Sequence, residues 1–219
     1  MKKGAKKFVG GFMKDFSVSM AVMDFVPVLL FAVAAIMLQR DLYFKMSKGA
    51  FALFAAGTID IIFSGFLKAL YKLLYALGIC DFEALNAMYF PMISIGFLLA
   101  GIGMIAMLFH NQTENAALSV APPVVFSGTP IMIGFMVIGL AMIYVVLGVI
   151  AIKLKKYSVV VILVLSFCCS LGMGYLSSKD FESALWNWIA QGINVVGQGT
   201  LLLCVVMLRG AGITNLKIR

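Results

Sequence analysis

Histidine and charge are what this chain has least of. His110 is the only histidine in 219 residues, and Asp and Glu together number nine. One histidine excludes a histidine-clustered metal site, and a Ser-His mechanism built from this chain alone. No HExxH, P-loop or dinucleotide glycine pattern occurs, so no cofactor is expected. The four cysteines form no framework. Cys168, Cys169 and Cys204 fall in apolar runs and Cys80 stands alone in a short loop, so each reads as a small hydrophobe. Charged residues make up 12% of the chain against 63% apolar, and the mean hydropathy is +1.08. That leaves too little polar surface to cover a globule in water, so the bilayer is the expected solvent. The first apolar run does not resemble a cleaved signal peptide. A long basic stretch precedes it, and Gln39-Arg40-Asp41 follows without a small-residue cleavage pattern.

What the chain does contain is apolar sequence in membrane-length blocks. Six runs, at 23–39, 50–72, 87–109, 129–152, 158–176 and 185–208, predict an all-α polytopic membrane protein with six transmembrane helices. Its expected parts are a basic interfacial segment 1–22, a first three-helix half 23–109, an outer loop 110–128, a second three-helix half 129–208 and a cytoplasmic tail 209–219. In the first segment Phe8, Phe12 and Phe16 recur every four residues among Lys2, Lys3, Lys6, Lys7 and Lys14, a pattern suited to anionic lipid headgroups. A solvated tail that only sets topology fits equally well, because Gly10-Gly11 weakens a helix there.

The net charge of +8 is assigned to orientation and not to nucleic acid, because the lysines flank the spans. With a cytoplasmic N-terminus the inner side holds Lys2, Lys3, Lys6, Lys7, Lys14, Lys68, Lys72, Lys153, Lys155, Lys156, Arg209, Lys217 and Arg219. Only Arg40, Lys45, Lys48 and Lys179 then face outward, four of the 17 basic residues. Both termini of a multi-pass cell-membrane protein are therefore expected inside.

The tripeptides Asp81-Phe82-Glu83 and Asp180-Phe181-Glu182 introduce the third span of each half. After them Leu85 aligns with Leu185, Ile93 with Ile193, and Met107-Leu108 with Met207-Leu208. Chance identity in apolar sequence is one reading and an internal repeat the other. With three spans per half, a repeat would be inverted, the plan of many transporters, with a polar cavity between the halves.

Polar side chains enter the spans at two places. In WNWIAQGINVVGQG, Asn187, Gln191, Asn194 and Gln198 fall at about 0, 40, −20 and 20° around a helix, a single narrow stripe. Trp186 and Trp188 place its start at an interface, and Gly192 and Gly199 mark a second face for close packing. Unpaired amides are costly in apolar surroundings, so the stripe reads either as interhelical hydrogen bonding or as the wall of a polar pathway. Along span 2, Gly57, Asp60, Ser64 and Lys68 share one side, with Asp60 the deepest acid and Lys68 and Lys72 expected to snorkel. The predicted pathway is thus Asp60, Ser64, Asn187, Gln191, Asn194 and Gln198. Asp24, Ser94 and Lys68 are secondary candidates, the first two lying near the helix-interrupting Pro27 and Pro91. Gly134, Ala141 and Gly148, and the row Ser166, Ser170, Gly174 and Ser178, predict tight helix contacts.

These features fit a transporter or channel for a small polar solute or ion. The alternative is a non-catalytic membrane subunit or sensor, in which the small-residue rows meet a membrane-protein partner or a second copy of the chain. An enzyme is the weakest reading, because acid–base chemistry would rest on Asp60, Asp24 and Tyr89 alone.

Overall fold

A computed structural model describes residues 17–109, 129–177 and 184–216. Residues 1–16 of the expected interfacial segment, the loop 110–128, Ser178, Lys179, the tripeptide Asp180-Phe181-Glu182 and the end of the tail at 217–219 lie outside the described residues. Among those described, all regular structure is helical. The helices are α1 (Val18–Met23), α2 (Phe25–Leu42), α3 (Lys48–Ala76), α4 (Glu83–Phe109), α5 (Thr129–Lys153), α6 (Tyr157–Ser177) and α7 (Ala184–Gly210). Five stretches are long and apolar enough to cross a membrane: Val18–Lys45, Lys48–Ala76, Glu83–Phe109, Pro130–Lys153 and Leu185–Gly210. α6 adds a shorter apolar stretch, Tyr157–Met173.

Local chemistry sets the helix ends. Ser17 and Ser47 cap α1 and α3, their hydroxyls accepting from the amides of Met20 and Ala50 at 3.3 and 3.1 Å. Gly78, with φ of +66°, ends α3 in the left-handed conformation that a glycine adopts without strain. α5 ends the same way, but on Lys155, whose φ is +56°. Between α1 and α2 the chain breaks at Asp24, and Pro27 sits in the first turn of α2. Proline has no N–H, so it cannot reach back to the Met23 carbonyl four residues earlier.

Pairwise contacts fix the direction of every helix. α2 and α3 are antiparallel, since Asp24 pairs with Lys72 and the Gln39 amide donates to Thr58 Oγ1 at 2.7 Å. α3 and α4 are antiparallel, with Lys68 over the Tyr89 ring at one end and Gly103 against Ala50 and Phe54 at the other. The turn 154–156 makes α5 and α6 a hairpin, in which Tyr144 and Ser166 share a hydrogen bond of 2.7 Å. α6 and α7 are antiparallel, since Ser166 Oγ donates to the Gly197 carbonyl and Cys204 Sγ to that of Val159.

α7 then runs parallel to α2. Gln191 Nε2 donates to the Met23 carbonyl at 2.7 Å, and Lys45 Nζ donates to the Leu216 carbonyl at 2.5 Å, so low numbers meet low numbers and high meet high. It follows that α4 and α5 are also parallel. Their contact agrees: Gly139 meets the backbone of Phe97 and Leu98, while Gly101 meets Gly139 and Met142, numbers rising together. The expectation of two inverted halves is corrected here. Such a pair would set α2 and α7 antiparallel, whereas both halves run in the same sense. The charge count loses its basis for the same reason. Lys68 and Lys72 lie at one end of the bundle, and Lys153, Lys155, Lys156 and Arg209 lie at the other.

The two ends differ in packing. One end gathers Leu42, Ala50, Met104, Leu147, Val159 and Leu208, all fully buried and part of a single apolar core. At the other end no described residue of α5 before Gly139 is buried, none of α6 after Ser166, and none of α4 before Ser94. Glycines allow the closest approaches. A Cβ at Gly57 would collide with the backbone of Gly96 and Ala100, and one at Gly139 with that of Phe97. The glycines expected to pack, Gly134, Gly148 and Gly192, have no neighbour within 4 Å of an added Cβ, while Gly199 only touches Leu30. Sequence spacing marks a face of a helix but does not say which face a neighbour occupies.

Candidate functional site

The α1–α2 break brings polar groups together at the loosely packed end. Asp24 is the N-cap residue of α2, yet its carboxylate makes no capping hydrogen bond. It pairs instead with Lys72 of α3, and the two side chains are 11% and 18% exposed. The positive end of α2 further favours a carboxylate at this position. One turn along α3, Lys68 places its ammonium 4.0 Å from the centroid of the Tyr89 ring on α4, a favourable cation–π geometry. Lys72 and Lys68, expected to snorkel, are therefore held by partners on neighbouring helices.

Beside this cluster, Gln191 of α7 is 6% exposed and donates to the Met23 carbonyl. This is the carbonyl that Pro27 leaves without an in-helix donor. One member of the predicted amide stripe thus completes a broken helix on another strand of the bundle. Asn187 and Asn194 are half-buried on the same helix. Gln198 has its Oε1 buried with no hydrogen-bond partner among the described residues.

The structure does not bring Asp60 to this stripe. α3 and α7 each pack on α2 and share no substantial contact. Asp60 is half-buried at the α3–α4 contact, its Cβ 3.1 Å from where a Gly96 Cβ would lie. Ser64 is fully buried, and its hydroxyl donates to the Ile61 carbonyl of its own helix at 2.9 Å. Ser94 likewise donates to the Phe90 carbonyl at 2.7 Å, just beyond Pro91. Both serines are occupied locally. In the row Ser166–Ser170 the hydroxyls bond Tyr144, the Gly197 carbonyl and the Ser166 carbonyl, so polar bonds hold α5, α6 and α7 together there.

One polar group was not singled out from sequence. Asp41 is 7% exposed near the tightly packed end, with one oxygen 3.7 Å from Arg40 and the other without a partner among the described residues. Its position at the end of an apolar run gave no sign of burial. Compared with known families, curated proteins and solved structures, the chain matches none.

Proposed function

We propose that this chain is a small multi-pass membrane protein that moves a polar solute or ion, as a transporter or channel, past the charged groups at its loosely packed end. The observation that carries this is the Asp24–Lys72 pair with Lys68 against Tyr89, three charged side chains among apolar helices. Ionisable groups inside a membrane are costly and mark solute or ion pathways. Asp60 and Ser64 extend the same four-residue row of α3 away from this cluster, and Asp60 is only half-buried. On α7 Gln198 offers a solute an amide oxygen that is buried and has no partner among the described residues. In this proposal α6 is a sixth membrane helix and the cell membrane is the location.

The test uses the full chain in proteoliposomes, with dye-reported fluxes of protons, sodium and chloride, and light-scattering uptake of glycerol and urea. At least one flux is expected above protein-free vesicles and is lost in Asp24→Asn and Lys68→Met variants that keep their helical circular dichroism. No flux, or a flux indifferent to both substitutions, refutes the proposal. The second reading, a non-catalytic membrane subunit, is favoured by one observation: Gln191, Ser166 and Ser170 are spent on interhelical bonds. A partner protein retained at fixed stoichiometry through detergent purification, without flux, is its expected signature.

A further inference from the structure

Among the described residues, the cluster at the loosely packed end is unbalanced in charge. Two lysines, Lys68 and Lys72, converge there with one carboxylate, Asp24. Lys72 takes that carboxylate in a direct ion pair. Among the described residues no carboxylate lies within ion-pair distance of Lys68, which stands over the face of Tyr89 and meets Asp24 only through its field. The other described acids of this region stand apart from Lys68. Asp81 accepts from the Tyr71 hydroxyl at 3.2 Å, Glu83 is exposed at the start of α4, and Asp60 lies eight residues along the same helix, a rise of about 12 Å. An ammonium in apolar surroundings is stable when paired, and a ring face replaces only part of its lost hydration.

From this surplus we propose that Lys68, flanked by Lys72 and Tyr89, binds a single oxyanion, a carboxylate or phosphate group. Two sources supply this one chemistry, a free anion or the headgroup of an anionic lipid. Its oxygens would take hydrogen bonds from the Lys68 ammonium on the side away from the Tyr89 ring. Lys72, already neutralised by Asp24, adds field but little binding of its own. The inference rests on the reading that this cluster faces solute, and it narrows that solute to an anion or to one that carries an anionic group.

Trp186 and Trp188, the only tryptophans, sit at the start of α7, one to two turns from Gln191 and the α1–α2 break. They report on this end without labelling. The full chain in phosphatidylcholine nanodiscs is titrated with inorganic phosphate and with acetate at constant ionic strength, and tryptophan emission is read. A saturable change is expected, with apparent Kd about tenfold or more weaker in Lys68→Met, since a hydrogen bond to a charged group is lost. Lys68→Arg and the exposed, distant Lys48→Met retain the wild-type value. Where a lipid headgroup is the ligand, phosphatidylglycerol in the discs shifts the emission of the wild type but not of Lys68→Met, and added phosphate then has no further effect. Absence of any Lys68-dependent change with both sources overturns the proposal. Flux without such a change overturns the anion assignment and leaves transport standing. Binding without flux overturns transport and leaves the anion site.

Discussion

Replacing Gln191 by Leu removes one hydrogen bond and little volume, and the structure says how much that should matter. The Met23 carbonyl ends α1 where Pro27 supplies no amide hydrogen, so Gln191 Nε2, at 2.7 Å, stands in for a backbone donor. Polar contacts between membrane helices average about 0.6 kcal/mol and reach about 1.7. This one belongs near the top of that range, because its loss leaves a carbonyl unpaired beside a nearly buried side chain. Gln191→Leu should therefore destabilise by about 1.5 kcal/mol. Pro27→Ala restores an N–H at the right position for an in-helix bond to Met23, and in that background Gln191→Leu should be close to neutral. The coupling energy between the two substitutions, from unfolding in mixed micelles followed by circular dichroism, is expected at about 1 kcal/mol. A loss of the same size in both backgrounds would refute the idea that glutamine compensates for proline.

Four other outcomes follow. Asp24→Asn or Lys72→Met alone should destabilise by about 3 kcal/mol, because a largely buried ion pair loses one of its two charges, while the double variant recovers most of the loss; mixed-micelle unfolding measures all three. Gly57→Ala and Gly139→Ala should each lower stability by about 1–3 kcal/mol, since the added methyl meets a neighbouring backbone that cannot rotate away, whereas Gly134→Ala, with open space around it, should not. Gln198→Leu should be neutral or stabilising by up to about 1 kcal/mol in thermal melts, because it deletes a buried oxygen that has no partner. Lys155→Gly should raise stability by about 0.5–1 kcal/mol, relieving a left-handed backbone at an exposed turn.

Helix positions were legible in the sequence because apolar run length is a local property. The expected run 50–72 lies inside Lys48–Ala76, and 185–208 inside Ala184–Gly210. Directions were not legible. Alternation is the default for successive spans, and the exception between α4 and α5 depends on contacts that no local pattern encodes. The amide stripe illustrates the same limit. Its angular spacing follows from helix geometry, but the acceptor for Gln191 is 168 positions away, so glue and wall could not be told apart. Lys72, and Lys68 as a secondary candidate, read as snorkelling for a similar reason. Their partners, Tyr89 and Asp24, are on other helices, and a lysine near a helix end looks the same whether it meets water or a carboxylate. Asp60 shows the converse. Depth along the span is readable, but its neighbour, Gly96 of α4, is not.

The shared sense of α4 and α5 has a consequence for how the gene can be edited. Phe109 closes one helix at the tightly packed end, and Thr129 opens the next at the opposite end. The two helices are therefore not the arms of a hairpin, and no turn of fixed length sets how one lies on the other. Their register comes from the contact itself, where Gly101 meets Gly139 and Met142, and Gly139 meets Phe97 and Leu98. A codon change at either glycine acts on the seam between the two halves of the chain, and not only on the helix that carries it.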